Sequence, residues 1–294
     1  MDSITHTLLG LTTYGTVKKK EMEPEMKKAL WTAAVIGSQI PDIDAVMQLT
    51  EKGSVMYQMW HRGLSHSIFM APIWASIIYF ACYIIWRKKD KSIFYLALLN
   101  VSIHIGSDSL NAWGTGLLEP FSSIRVTLGV IPIVDLVIWG VILIGFLVTK
   151  LKKHFPRYKV WRMVWTVILL HVTLQSIQGY IVHQEAKAYY KETAMSASFV
   201  PWHFSVIGKN NAVIDIYEKT IWGKKIIKNT LYSREEADLK PLFSENPRAE
   251  VLLQWAPFVV IVDDDERLGI YDPRFYRNGE SFLFQYINKN EGER

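Results

Sequence analysis

The sequence predicts a mainly α-helical fold: a polytopic membrane domain of about six helices over residues 1–184, then a small β-rich extracytoplasmic domain over 185–294. Three observations predict it. Apolar residues, half of the chain, are concentrated in the first 183 positions instead of being spread as a soluble core would spread them. Residues 67–86, SIFMAPIWASIIYFACYIIW, carry no charge, and a helix of about 20 residues crosses the roughly 30 Å of bilayer hydrocarbon. Lys and Arg cluster in alternate loops.

The elements follow in order. Two shorter apolar segments, 4–17 and 29–46, flank the charged run KKKEMEPEMKK. Each is marginal in length for a crossing, so each is expected to be partly re-entrant or packed against the others. After 67–86 come 92–113 with one His and one Asp, 130–148 with one Asp, and 160–182 with Arg162 near its start and one His. Loops 18–28, 87–91 and 150–162 carry five, four and six Lys/Arg, fifteen in all, whereas segments 1–3, 42–66 and 113–129 carry only Lys52, Arg62 and Arg125. That bias places the basic loops in the cytoplasm, and six crossings leave both termini outside. MDSITHTLLG lacks a basic n-region and a cleavage site, so it is expected to remain in the mature protein. Past 184 the composition turns mixed, with β-rich runs NNAVIDIYEKTIW, VLLQWAPFVVIVDDDE and SFLFQYI between turn-like GKNN, SENPR and DPRFYRNGE.

Composition also excludes. The formal charge of +5 lies in short loops and not along one face, which reads as topology and not as a nucleic-acid surface. A single cysteine, Cys82, allows neither a disulfide framework nor a cysteine-based zinc site. Trp60, Trp86, Trp113, Trp161 and Trp165 fall near the expected interfaces, as an aromatic belt does.

On this topology the polar residues of the membrane half collect at one end. Asp2 and His6 start the first helix on the outer side, and Asp42 and Asp44 of QIPDID end the second there. His61, Arg62 and His66 of WHRGLSHS open the third, and Asp135 enters the fifth near its outer end. His104 and Asp108 stand i to i+4 on one face of the fourth. Carboxylates and imidazoles in a bilayer are costly unless they pair or bind an ion, and they mark functional sites. His nitrogen with Asp oxygen and no thiolate suits zinc, manganese or iron better than calcium or magnesium. Seven candidate ligands (His6, Asp42, Asp44, His61, His66, His104 and Asp108) exceed the need of one tetrahedral ion, and two neighbouring ions would use them. The lone His171 of the last span is expected to bond a neighbouring helix and is set aside.

The motifs MDSITH (1–6), PDID (41–44), HRGLSHS (61–67) and HIGSD (104–108) together resemble the YdjM-like family of membrane-bound metal-dependent hydrolases. The resemblance covers the membrane half closely and the tail loosely, through VPWHFSVIG and LLQWAPFVVIV. Ser65 stands where the family commonly has Thr, which keeps a hydroxyl able to cap a helix or bond a ligand. The resemblance implies hydrolysis assisted by zinc, or by manganese or iron, with one or two ions. The expected substrate is an ester or phosphoester of a membrane lipid or lipid-linked molecule at the outer face. Arg62 is expected to steady anionic oxygens, and Asp2 or Asp135 to orient a ligand or act as general base. Two other classes stand beside this one. One is a non-catalytic regulatory or scaffold protein whose ions hold helices together. The other is a metal or proton transporter, which should place acceptors at several depths, and this sequence shows none in the cytoplasmic half beyond His171.

Overall fold

The computed structural model describes residues 1–152 and 154–289. Lys153 of the basic 150–162 loop and residues 290–294 of the C-terminal domain lie outside the described residues. The chain divides into two compact units: Met1–Asp44 with Arg62–Ser176, and Ala45–His61 with Ile177–Arg294. The expected cut after residue 184 and the unit boundary at 176/177 both fall within one long helix, and residues 45–61 group with the C-terminal unit.

The first unit is helical. Helix α1 (Ser3–Gly15) starts where the Asp2 carboxylate accepts from the amides of Ile4 and Thr5. Helix α2 (Pro24–Gly37) opens with proline, whose missing amide costs nothing in the first turn. A 3-10 stretch, Ile40–Leu49, follows and carries PDID. Two short helices, α3 (Glu51–Val55) and α4 (Tyr57–Trp60), belong to the C-terminal unit. The first unit resumes with a 3-10 turn at Leu64–His66, then α5 (Met70–Trp86), α6 (Lys91–Ser109) and α7 (Leu136–Leu151). Helix α8 (Arg157–Lys187) begins in it.

Helices α2, α5 and α6 share a core of small and branched side chains that includes Ala29, Ala33, Ala75, Cys82, Ile93 and Ala97. Small residues let backbones approach closely, as they do between membrane helices. A Cβ at Gly37 would lie 3.0 Å from the Ala97 carbonyl, and one at Gly10 would lie 2.9 Å from the Ala34 carbonyl. These approaches hold α1 and α2 against α6 at the level where the polar residues converge.

The fold class holds in its coarse form, mainly helical with a β-rich C-terminal region. Six crossings do not follow from the helix lengths. Helices α1 and α2 have 13 and 14 residues, so they reach about 20 Å at roughly 1.5 Å per residue. Among the described residues α8 alone is long and apolar enough to cross by itself. The pair Tyr57–His66 and Met70–Trp86 meets the same measure only together, bent by 68°.

In the C-terminal unit, β1 (Glu192–Ala197), β2 (Phe204–Asn210), β3 (Val213–Lys219) and β4 (Ile226–Tyr232) form an antiparallel meander. Asn211 takes a left-handed φ of 55° in the two-residue turn between β2 and β3, as GKNN suggests. Strands β5 (Val260–Asp263), β6 (Arg267–Tyr271) and β9 (Phe284–Asn288) form a second sheet, and β7 (Tyr276–Arg277) pairs with β8 (Glu280–Ser281) across Asn278-Gly279. One expectation fails here. The start of the run VLLQWAPFVVIVDDDE, read as β-rich, is helical: α9 (Lys240–Glu245) is followed by α10 (Pro247–Trp255), which takes in its first five residues. Pro247 starts α10, and Ala249, Leu252 and Trp255, spaced by three, give it one buried face. Only Val260–Asp263 of that run is strand.

Candidate metal centre

The site is assembled from three pieces of the first unit. The buried face of α6 carries Asn100, His104 and Asp108 at successive i+4 steps. The 3-10 stretch after α2 supplies Asp42, and the turn before α5 supplies His66. Asp42, His66, His104 and Asp108 each offer one donor atom, all within 4.8 Å of one another, a grouping that can hold a metal ion.

The surroundings of the two imidazoles decide which nitrogen faces inward. His104 Nδ1 is 2.7 Å from the Ser38 carbonyl, an acceptor only, so the proton sits on Nδ1 and the lone pair on Nε2. Ser65 Oγ donates to Asp44 Oδ2 at 2.5 Å and therefore accepts from His66 Nδ1 at 2.8 Å, which leaves His66 Nε2 as a lone pair too. The two Nε2 atoms face each other at 3.2 Å. Two lone pairs at that distance repel unless a cation or a proton lies between them.

The other edges agree. Asp42 Oδ1 is 3.3 Å from His66 Nε2 and 3.5 Å from His104 Nε2. Asp108 Oδ2 is 3.4 and 3.5 Å from the same two atoms and makes no hydrogen bond among the described residues. Four ligands around a small ion at about 2.0–2.1 Å stand roughly 3.3–3.4 Å apart. The residues present fit a divalent ion. His66, His104 and Asp108 side chains are fully buried, while Asp42 is 20% exposed, so the quartet is reached from the side of Asp42.

The remaining expected ligands take other places. Asp44 lies behind His66 and accepts from the Arg62 amide at 3.0 Å as well as from Ser65. His6 is buried, stacks on the His104 ring with centroids 3.7 Å apart, and places Nε2 3.2 Å from Asp108 Oδ1. Neither His6 ring nitrogen makes a hydrogen bond among the described residues. His61 lies in the C-terminal unit, where it ends α4 and stacks on Tyr57 at 5.0 Å; it is not one of the buried four.

The three residues expected to act in catalysis are held by the protein. Arg62 is buried, with Nε 3.2 Å from Asp108 Oδ2, Nη1 3.0 Å from Asn111 Oδ1 and Nη2 3.2 Å from the Met1 carbonyl. Its φ of 58° is left-handed and costly for a side chain, and it is held where the Arg62 carbonyl accepts from Gly116 at 2.8 Å. Asp2 caps α1 and also accepts from the Thr5 hydroxyl. Asp135 caps α7 through Val137 and Ile138 and holds His171 Nε2 at 3.0 Å. His171 is thus bonded between helices, as a lone imidazole in a span is expected to be.

Sequence reasoning missed Asn111 and the Ser38 carbonyl. Asn111 follows just after the last turn of α6, close in sequence to Asp108, whereas a carbonyl leaves no trace in residue identity. It also missed the loop from 113 to 129, where the Thr115 amide bonds the Val126 carbonyl and the Ile68 amide bonds the Leu117 carbonyl. Burial pushes the Glu119 carboxyl up there, and Arg125, 3.8 Å away, partly offsets it.

Ser65→Ala removes the acceptor that fixes the His66 tautomer while leaving all four donors in place. Metal affinity is expected to fall by about 10- to 100-fold, read by competition with a chromogenic chelator, with circular dichroism unchanged.

Comparison with known proteins places the site. A family model described as YdjM inner membrane protein matches residues 1–182, which hold all four buried donors. The uncharacterized protein YfhP of Bacillus subtilis (strain 168) is 36% identical over 139 residues, 46% of this chain and 42% of that protein. The chain thus matches less than half the length of that relative. No solved structure matches.

Proposed function

The chain belongs to the YdjM inner membrane protein family, and from that premise we propose that it is a membrane-bound metal-dependent hydrolase of esters or phosphoesters, acting on a lipid or lipid-linked substrate at the extracytoplasmic face. The observation that carries the metal part of this reading is the pair of inward Nε2 lone pairs at 3.2 Å, with two carboxylate oxygens completing the set. The His/Asp donor set favours zinc, with manganese or iron as alternatives. A divalent ion in this place supplies Lewis acidity to a carbonyl or phosphoryl oxygen.

The chain's own residues have separable tasks. Ser38 and Ser65 keep the two imidazoles in the ligating tautomer. Arg62 spends its donors on Asp108, Asn111 and Met1, so we assign it to positioning Asp108 and not to steadying a substrate oxygen. Asp42, the partly exposed donor, lies on the side from which substrate arrives. The excess of fifteen basic residues over three in the alternate loops supports an extracytoplasmic site and C-terminal domain.

A second reading rests on the count of donors. Four protein donors already complete a tetrahedron, as structural sites do, whereas catalytic sites keep one position open. One experiment separates the two. Detergent-purified protein is assayed for metal by elemental mass spectrometry and then screened against ester and phosphoester lipids, before and after chelation. Turnover that chelation abolishes while the fold persists supports the hydrolase. A metal-loaded protein without turnover, which chelation unfolds, establishes a metal-held scaffold instead.

A further inference from the structure

Along α1, a groove of about 540 Å³ opens between α1, α7 and the start of α8. Leu8, Leu11, Leu143, Phe146 and Trp161 line it, and it is almost wholly apolar. Gly140 makes it concave, since a Cβ there would meet nothing within 4 Å. One end is closed by Trp139, whose indole donates to Thr5 Oγ1 at 2.8 Å, and the other by Trp161, packed on Gly15. A dry concavity facing hydrocarbon loses dispersion contacts unless a chain fills it.

The Trp161 end carries a cationic rim. Lys150 lies 4.7 Å over the Phe146 ring, and Arg162 reaches the Thr16 carbonyl at 3.3 Å. Lys19 bonds the Tyr14 carbonyl at 2.6 Å, and burial together with the nearby Arg157 lowers its pKa to about 8. None of Lys19, Lys150, Arg157 and Arg162 makes an ion pair among the described residues. Four cations without counter-ions beside an apolar slot are complementary to one ligand chemistry, a phosphate carried on an acyl chain.

We propose that this groove is a binding site for an anionic phospholipid, with one acyl chain between Trp139 and Trp161 and the phosphate among Lys19, Lys150, Arg157 and Arg162. The site is independent of the metal centre and of the hydrolase reading.

The test uses the full chain, delipidated in detergent and titrated by native mass spectrometry with phosphatidylglycerol and with phosphatidylcholine of identical chains. Phosphatidylglycerol is expected to bind at one site, on the order of tenfold more tightly than phosphatidylcholine. Lys19→Gln with Arg162→Gln should remove that preference. Gly140→Leu, which fills open space, should weaken both lipids together. Equal binding of the two lipids by the parent overturns the proposal. So does unchanged binding in both variants, or a dimer that covers the groove and retains no lipid.

Discussion

His66→Ala is expected to lose its metal and keep its fold. A four-donor zinc site is worth about 10–16 kcal/mol, so one donor carries roughly 3 kcal/mol, on the order of a hundredfold in affinity. The loss should be larger here than the average share, because Asp42 and Asp108 each stand against His66 Nε2 and are left with one imidazole between them. Elemental mass spectrometry on purified parent and variant reads it directly. Asp108→Asn is the companion measurement, since it keeps volume and polarity while removing the charge that a divalent ion needs. A parent that takes up no metal when offered zinc and manganese, yet folds, would leave the quartet as a buried polar cluster alone.

Arg62→Ala should show the opposite pattern. The guanidinium is buried against Asp108, and breaking such a pair from one side costs up to about 3–5 kcal/mol, reduced here because the Met1 ammonium also pairs with Asp108 Oδ1. A bound cation partly replaces the lost positive charge, so the metal-free form is expected to suffer more than the loaded one. Thermal unfolding with and without chelator measures both. Metal affinity should hold or rise, because a neighbouring positive charge has been removed. An Arg62 that worked on substrate would leave both unfolding curves unchanged and reduce turnover alone.

The sequence singled out the four residues that the structure groups, Asp42, His66, His104 and Asp108; the division of labour around them was not legible. The i+4 spacing of His104 and Asp108 places both on the buried face of α6, because helical geometry is fixed by spacing alone. Asp42 and His66 reach the same point through a 3-10 stretch and a loop, whose paths no periodicity encodes. Asp2 and Asp135 read as free carboxylates near a site, yet each precedes a helix, and capping is the commoner use of Asp in that position. Apolar length gave a helix long enough to cross for α8 but not for α2, where the turn chemistry at Ser38 and Pro41 ends the helix before the apolar run ends. In the tail, the hairpins at Asn211 and Asn278-Gly279 were written in turn residues, while α10 was masked by a β-branched and apolar run.

The quartet also sets a schedule for the growing chain. Residues up to 103 contain only Asp42 and His66, and the other two donors arrive together on the last turns of α6. Two donors hold a divalent ion poorly, so an ion at this quartet would have to await the last turns of α6. The site is complete only once α6 lies beside α2 and the carbonyl of Ser38 meets His104. An ion that binds this late cannot nucleate the bundle. It would instead lock an arrangement that helix packing has already made.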